Sequence, residues 1–205
     1  MIKPLERLVL ATTNPGKVRE IKRLLSDTGI EILTLDDIEP LQMPPEEGAT
    51  FRENAGAKAR FVAARSGLAA LADDSGLEVD WLGGAPGVYS ARYAGEGATD
   101  KENYRKLLGE MEGVEPASRG ARFRCAASLA LPDGTVGDFD GSFEGVIADG
   151  PSGDGGFGYD PVFFIPGEGK TAAELTAEEK NSMSHRAKAL EKLKSWLIEN
   201  GKTAR

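Results

Sequence analysis

The most constraining feature of this chain is a short apolar run that ends in two acidic residues. Residues 68–72 have the composition of a buried strand, and Asp73 and Asp74 follow directly. Ser75 and Gly76 come next, and both are residue types that turns favour. We therefore predict a strand that delivers paired carboxylates to a loop, an arrangement suited to holding a metal ion. On these residues alone, an ordinary turn rich in Asp and Ser is the alternative.

Length and composition limit the class of protein. The chain has 205 residues, enough for one domain with a substantial core, and its net charge of −8 argues against nucleic-acid binding, which needs many Lys and Arg to neutralise phosphates. One cysteine, Cys125, excludes an internal disulfide, and its place on the apolar face of a predicted strand indicates a buried, unreactive thiol. The N-terminus lacks the continuous apolar stretch of a signal peptide, and no segment has the length of a membrane span. We expect a soluble, cytoplasmic protein.

The N-terminal segment predicts a strand, a loop and a helix. Residues 8–11 are apolar, and apolar residues recur at helical spacing from 18 to 25. Asn14 is a good N-cap and Pro15 a good first helical residue, so the amides of the first turn, with Lys17 beside them, would face an anion. The glycine spacing of a Walker loop is missing, so a helix start without a ligand is the alternative.

The remaining elements follow from periodicity and capping signals. Three helix starts carry capping-box spacing: Thr50 with Glu53, Thr99 with Glu102, and Thr176 with Glu179. Residues 122–131 alternate between apolar and polar, and a Pro-Asp-Gly turn separates them from a second strand over 135–143, which predicts a hairpin. The last helix is predicted from Thr176 or Ser182 to Gly201.

A second set of candidate residues precedes and begins the helix at Thr50. Glu46 and Glu47 come before it, and Asn54 and Lys58 share one face of it at i, i+4 spacing. Together with the acidic pair at 73–74, these residues supply carboxylates from separate segments and an ammonium. Mg²⁺ takes such oxygen ligands together with substrate phosphates and water. An exposed acidic run is the alternative for the two glutamates.

A glycine-rich loop and the start of the last helix supply candidates for binding a flat ligand. The loop at 155–161 contains Phe157 and Tyr159, which would either stack on a ligand or anchor the loop in the core. His185 is the only histidine, and a lone histidine is more often structural than catalytic. Its grouping with Lys180 and Arg186 nevertheless favours a binding role for these three donors.

In this order, these segments resemble the ITP/XTP pyrophosphatases, the inosine triphosphate pyrophosphatase family. The resemblance spans nearly the whole chain and is carried by residues 10–17, 46–55, 72–77, 83–93, 156–161 and 184–186. The first loop departs slightly, with Thr13-Asn14-Pro15 where relatives often carry a small residue or Gly. Several separate motifs at matching spacing make coincidence very improbable.

The resemblance implies an α/β fold, with a long central mixed β-sheet and flanking helices that form two lobes around an active-site cleft. It implies a single two-lobed domain over residues 1–205, a homodimer, and one or more Mg²⁺ ions per subunit. The implied reaction is Mg²⁺-dependent hydrolysis of ITP, dITP and XTP to the monophosphate and pyrophosphate, which cleanses the nucleotide pool. No nucleic-acid or membrane partner is implied.

The resemblance also implies roles for individual residues. Asp74, Asp73 and Lys58 would be catalytic, and Glu46 and Asp74 would hold the metal. The substrate-binding residues would be Thr12, Thr13, Asn14, Pro15, Gly16, Lys17, Ser75, Phe157, Gly158, Tyr159, Asp160, Lys180, His185 and Arg186. Those up to Lys17, with Lys58, would contact the phosphates, and the others the sugar and base. A 6-oxo purine presents O6 and N7 as acceptors to the donors on the last helix, whereas adenine presents an amino group.

Two other functions stay open from the sequence. A non-catalytic nucleotide-binding protein would keep the phosphate loop and the aromatic residues but would not need the acidic set of Glu46, Asp73 and Asp74. A related pyrophosphatase acting on modified pyrimidine triphosphates would keep all of them. A panel of nucleotide substrates separates these possibilities.

Overall fold

The computed structural model of the chain describes residues 4–201, which form a seven-stranded mixed sheet with helices packed on it. The strands of this part of the chain are β1 (Arg7–Leu10), β2 (Glu31–Leu33), β3 (Ala69–Val79), β4 (Gly120–Ala130), β5 (Val136–Ile147), β6 (Phe163–Ile165) and β7 (Lys170–Thr171). Its α-helices are α1 (Pro15–Leu24), α2 (Phe51–Ser66), α3 (Asp100–Glu110), α4 (Ala177–Met183) and α5 (His185–Glu199).

The strand order in the sheet is β2-β1-β3-β4-β5-β6-β7. Strand β1 is parallel to β2 and β3, whereas β6 is antiparallel to β5 and β7. Strands β4 and β5 are neighbours joined by the predicted tight turn, in which the Gly134 amide donates to the Leu131 carbonyl at 3.0 Å. The predicted α/β class with a mixed sheet is confirmed.

The chain divides into two compact units. The first contains the chain up to Asp74, Cys125–Gly141 and the chain from Arg186 onward, and the second contains Ser75–Arg124 and Ser142–His185. The division therefore falls within the three long strands β3, β4 and β5, and near the start of α5.

The first unit buries both faces of its parallel strands. Because successive side chains of a strand point to opposite faces, Leu8 packs in a cluster with Ile21 of α1 and Leu193 of α5, whereas Val9 packs in another with Val62 of α2. Each fully buried leucine of this kind stabilises the fold by roughly 1.5–3 kcal/mol. The predicted inner face of the last helix is buried as expected, at Ala187, Leu190, Leu193 and Leu197.

The second unit has a separate core built around aromatic rings. The ring centroids of Phe163 and Phe123 lie 4.5 Å apart, and those of Phe163 and Phe143 lie 5.4 Å apart. Leu107 and Met111, at the end of α3, complete this core and are fully buried. The loops that carry the predicted aromatic site residues therefore rest on a packed base.

The predicted N-caps are confirmed, and the full capping box forms at Thr99 and Thr176 but not at Thr50, where Glu53 Oε2 accepts from the Ala49 amide instead. Asn14 caps α1, and its side chain accepts from the amides of Gly16 and Lys17. Thr50, Thr99 and Thr176 are the N-caps of α2, α3 and α4, and each hydroxyl accepts from the amide of the glutamate three residues later. Such caps satisfy backbone groups that the helix itself leaves unpaired.

Two predictions of element boundaries are wrong. Strand β3 does not end before the acidic pair but continues through Ser75 and Gly76 to Val79. The reason is that Leu77 and Val79 are fully buried and keep the backbone in the sheet beyond the turn-like residues. The last helix is interrupted at Ser184, whose backbone is extended (φ −66°, ψ 158°), so α4 and α5 are separate helices.

Within residues 4–201, no helix combines the length and the apolar composition that crossing a bilayer requires.

Candidate active site

Asp73 is the centre of a buried charged group in the first unit. Its side chain is 1% exposed. The Nε and Nη2 atoms of Arg186 donate to its Oδ2 at 3.0 and 2.8 Å, and the Lys17 ammonium lies 3.2 Å from its Oδ1. Arg186 also binds Glu20 through Nη1, and the Cys125 thiol lies 3.8 Å from Asp73 Oδ2.

The charges around Asp73 keep it ionised. Burial alone would raise the pKa of Asp73, but the positive charges of Arg186, Lys17 and Lys58 outweigh it and hold the pKa well below its usual range. Burial also raises the pKa of the Cys125 thiol, with a further contribution from the Asp73 charge, as the prediction of an unreactive buried thiol requires. Asp73 is therefore a fixed negative charge.

Asp74 has different surroundings from its neighbour. Asn54 donates through Nδ2 to Asp74 Oδ2 at 2.9 Å, and the Lys58 ammonium lies 3.9 Å from Asp74 Oδ1. Burial raises the pKa of Asp74, and the charges of Lys58 and Lys17 do not cancel this increase. A carboxylate with a raised pKa accepts a proton more readily than its neighbour does.

Lys58 links Asp74 to the acidic segment that precedes α2. Its ammonium donates to Glu46 Oε1 at 2.7 Å and to the Asp73 carbonyl at 3.3 Å. Burial would lower the pKa of Lys58, but the charges of Asp74 and Glu46 outweigh this and raise it. The two predicted metal ligands, Glu46 and Asp74, thus both lie close to the same positive group, the Lys58 ammonium. Among residues 4–201, no cluster of three or more His, Cys, Asp or Glu side chains is suited to holding a metal ion.

The predicted phosphate loop caps its own helix. Asn14 Oδ1 accepts from the amides of Gly16 and Lys17 at 2.8 and 3.1 Å, and Thr12 Oγ1 accepts from the Asn14 amide at 3.2 Å. Asn14, the predicted N-cap, therefore occupies the amides of Gly16 and Lys17. Thr13 and Pro15 lie exposed beside them. The Lys17 ammonium also donates to the Asp73 carbonyl at 3.3 Å, the same oxygen that Lys58 contacts.

In the second unit, Asp160 organises the glycine-rich loop. Its Oδ2 accepts from the Lys180 ammonium at 2.6 Å and from the Phe157 amide at 2.9 Å. The same ammonium lies 4.9 Å from the centroid of the Phe157 ring. Gly156 adopts a φ of +72°, and a Cβ there would meet Asp160 Oδ2 at 2.0 Å, so only glycine fits.

Other predicted residues of the second unit have core contacts. The Tyr159 hydroxyl donates to the Ser90 carbonyl at 2.8 Å, and burial raises the pKa of Tyr159. His185 is 5% exposed and stacks on Phe123, with ring centroids 5.0 Å apart. These contacts match the anchoring alternative for Tyr159 and a structural contribution from His185. Next to them, the Gly158 amide donates to Asp100 Oδ2 at 2.7 Å, and Ser75 lies partly buried in β3.

The three donors that the sequence groups together have different partners. Lys180 binds Asp160, His185 stacks on Phe123, and Arg186 binds Asp73 and Glu20. Sequence reasoning missed Glu20, Ser90, Phe123 and Asp100. Glu20 had a detectable signal, because it follows Lys17 by three residues on α1 and such residues are neighbours on a helix surface.

Comparison with known proteins identifies the class of protein. The sequence profile of the Ham1 family matches residues 8–196. A dITP/XTP pyrophosphatase of Thermus thermophilus is 57% identical over 187 residues, which cover 91% of this chain and 89% of that protein. The dITP/XTP pyrophosphatase of Escherichia coli (strain K12) is 53% identical over 191 residues, which cover 92% and 96%.

Solved structures agree with this assignment. A HAM1 protein from Coxiella burnetii matches with a TM-score of 0.86 and 43% identity over 95% of this chain and 100% of that one. The Staphylococcus aureus Ham1 protein matches with a TM-score of 0.85 and 40% identity, covering 95% and 99%. The chain belongs to the Ham1 family, and the family resemblance seen in its motifs is confirmed.

Proposed function

We propose that this chain hydrolyses ITP, dITP and XTP to the monophosphate and pyrophosphate, and so removes non-standard purine nucleotides from the nucleotide pool. The observation that carries the proposal is the group formed by Glu46, Lys58 and Asp74, in which two carboxylates from separate segments share one cation. The names of the relatives, which are dITP/XTP pyrophosphatases, supply the substrate class.

Mg²⁺ is the proposed cofactor, with one or more ions per subunit held by Glu46 and Asp74. The donor set fits this ion, because both carboxylates already lie around the Lys58 ammonium at 2.7 and 3.9 Å. Mg²⁺ typically takes one or two protein carboxylates and completes its shell with water and substrate phosphates. When bound, it supplies neutralisation of phosphate charge and a lower pKa for a coordinated water.

The two adjacent aspartates have different proposed tasks. Asp74, whose pKa is raised, accepts the proton of the attacking water. Asp73, whose pKa is held low, stays ionised and keeps Arg186 and Lys17 in place. Cleavage between the α and β phosphates requires no covalent nucleophile on this route, so Ser75 contributes to substrate binding only.

Lys17 and Lys58 are the proposed phosphate ligands. Their ammonium groups both lie 3.3 Å from the Asp73 carbonyl oxygen, so two positive charges converge on one point of the first unit. Both side chains are mostly buried, with 14% and 10% exposed. Placing fixed positive charge where the pyrophosphate leaves stabilises the transition state. Thr12 and the loop up to Gly16 are the proposed flanking contacts.

Base and sugar recognition is assigned to residues of the second unit. Lys180 and His185 supply donors for O6 and N7 of a 6-oxo purine, and Phe157 supplies a ring for stacking. Adenine carries an amino donor at position 6 and would leave a buried donor unpaired, which costs binding energy. The remaining proposed contacts of this group are Ser75, Gly158, Tyr159 and Asp160.

A homodimer and a cytoplasmic location are also proposed. Trp81 and Tyr89, in the second unit, are 59% and 60% exposed, and exposed aromatic side chains are typical of interaction surfaces. Light scattering of the purified protein tests the dimer directly. The single cysteine, buried and without a disulfide partner, suits a reducing compartment.

A substrate panel tests the proposed function. We expect pyrophosphate release from dITP, ITP and XTP with Mg²⁺, little release from dATP or pyrimidine triphosphates, and loss of all release when EDTA removes the metal. Preferred release from a modified pyrimidine triphosphate would replace the substrate class. Binding of the nucleotides without any pyrophosphate release would leave a non-catalytic nucleotide-binding protein.

A further inference from the structure

Asn54, in the first turns of α2, is a buried polar residue outside the proposed catalytic, metal-binding and substrate-binding residues. It is 3% exposed, and its side-chain amide is used at both ends. Nδ2 donates to Asp74 Oδ2 at 2.9 Å, and Oδ1 accepts from the Gly48 amide at 2.8 Å. Only this orientation of the amide satisfies both partners, because a carboxylate accepts and a backbone N–H donates.

These two hydrogen bonds connect the segments that carry the proposed metal ligands. The bond to Oδ2 fixes the rotation of the Asp74 carboxylate and leaves Oδ1 on the side of the Lys58 ammonium. The bond to Gly48 anchors the chain two residues after Glu46. One side chain therefore links the Asp74 carboxylate to the segment that carries Glu46.

Gly48 supplies an independent sign of this connection. A Cβ at Gly48 would lie 2.6 Å from Asn54 Oδ1 and 2.8 Å from Glu53 Cβ, closer than side chains tolerate. The absence of a side chain at Gly48 is therefore what lets the backbone approach the Asn54 amide. The adjacent Ala49 amide is held as well, since it donates to Glu53 Oε2 at 2.7 Å.

We propose that Asn54 is a positioning residue for metal binding: it acts through Asp74 and Gly48 to hold the Asp74 carboxylate and the segment that carries Glu46 in place for a divalent cation. The inference rests on the proposed function and deepens it. Groups that orient metal ligands by hydrogen bonds affect metal affinity by about 10- to 100-fold in other sites.

The second unit offers a matched control. Asn103, on α3, is 2% exposed and also bridges a helix to a loop, since its Oδ1 accepts from the Ala94 amide at 2.8 Å and its Nδ2 donates to the Ala91 carbonyl at 3.1 Å. Its bonds involve backbone groups rather than a carboxylate. Asn103→Leu therefore reports the general cost of removing a buried amide.

The test measures Mn²⁺ binding by calorimetry without nucleotide, together with the Mg²⁺ dependence of dITP hydrolysis and thermal unfolding. We expect Asn54→Leu and Gly48→Ala each to weaken Mn²⁺ binding, and to raise the Mg²⁺ concentration for half-maximal activity, by about tenfold or more. The KM for dITP at saturating Mg²⁺ should change little. Asn103→Leu should lower the unfolding temperature but leave metal binding as in the wild type.

Two results would overturn the inference. One is metal binding by Asn54→Leu that is no weaker than that of Asn103→Leu; the other is an activity loss that saturating Mg²⁺ does not reduce. If Asn54→Leu does not fold, Gly48→Ala decides alone, since it leaves Asn54 intact and perturbs the same bond. A wild-type protein that binds Mn²⁺ but releases no pyrophosphate would contradict the proposed function. The calorimetric comparison of the variants would then still test whether Asn54 affects metal binding.

Discussion

Each unit of this protein buries an aspartate against a cation, but the two pairs are built differently. Asp73 in the first unit is bound by Lys17 and Arg186, which lie 56 and 113 residues away in the sequence. Asp160 in the second unit is bound by Phe157 and Lys180, which lie 3 and 20 residues away. The first group joins distant segments, whereas the second joins one loop to α4, the next α-helix along the chain.

The difference indicates separate consequences for stability and recognition. The ion pairs of the Asp73 group join α1, β3 and α5, so they stabilise the fold of the first unit. The Asp160 group shapes a loop whose neighbouring residues 151–156 are exposed. We expect the loss of Arg186 from the first group to act mainly on unfolding, and changes in the second group to act on the choice of nucleotide as well as on stability.

The largest expected effect on stability is that of Arg186→Met. It would remove both guanidinium hydrogen bonds from the Asp73 carboxylate, which is 1% exposed, and breaking a buried pair in this way costs about 3–5 kcal/mol. Urea unfolding of the variant and the wild type measures this difference. A loss below about 1 kcal/mol, the level of an exposed ion pair, would remove the distinction between the two groups.

A smaller loss of stability is expected for Lys180→Met. Asp160 would keep the hydrogen bond from the Phe157 amide, so we expect about 1–3 kcal/mol, the usual cost of leaving a buried group less well satisfied. The same variant should lose about tenfold in kcat/KM for dITP, equivalent to about 1.4 kcal/mol, with little change for dATP. An equal loss for both nucleotides would show that Lys180 does not select the base.

The smallest effect on unfolding is expected for Lys17→Met. Its ammonium is the outer partner of Asp73, at 3.2 Å and with 14% of the side chain exposed, so about 1 kcal/mol is expected. Its proposed phosphate contacts predict a larger loss of affinity for ITP than for IMP. Calorimetry with both nucleotides measures this, and an equal loss would place Lys17 outside the phosphate site.

The sequence predicted those parts of the molecule that depend on short-range rules. The N-caps at Asn14, Thr50, Thr99 and Thr176 involve groups two or three residues apart, and all are present. The end of β3 was misplaced because Ser75 and Gly76 are typical of turns, whereas burial of Leu77 in the core of the second unit decides their conformation.

The candidate site was predictable by residue type but not by pairing. Asp73, Asp74 and Lys58 were all identified, yet their partners depend on tertiary packing that no local pattern specifies. The adjacency of His185 and Arg186 indicated one donor group, but Arg186 binds Asp73 and His185 packs on an aromatic ring. The adjacency of two residues on a helix therefore does not determine which partner each side chain contacts.

Asp74 is the residue on which the account depends most. It lies next to Asp73 in the same strand, yet its pKa is raised where that of Asp73 is lowered. The direct test is product analysis of dITP cleavage by the wild type and by Asp74→Asn. We predict dIMP and pyrophosphate in equal amounts from the wild type, and less than about a tenth of that rate from the variant, a barrier increase above about 1.4 kcal/mol. Release of orthophosphate and dIDP by the wild type would contradict the account. A folded Asp74→Asn variant that keeps more than about a tenth of the wild-type rate would contradict it as well.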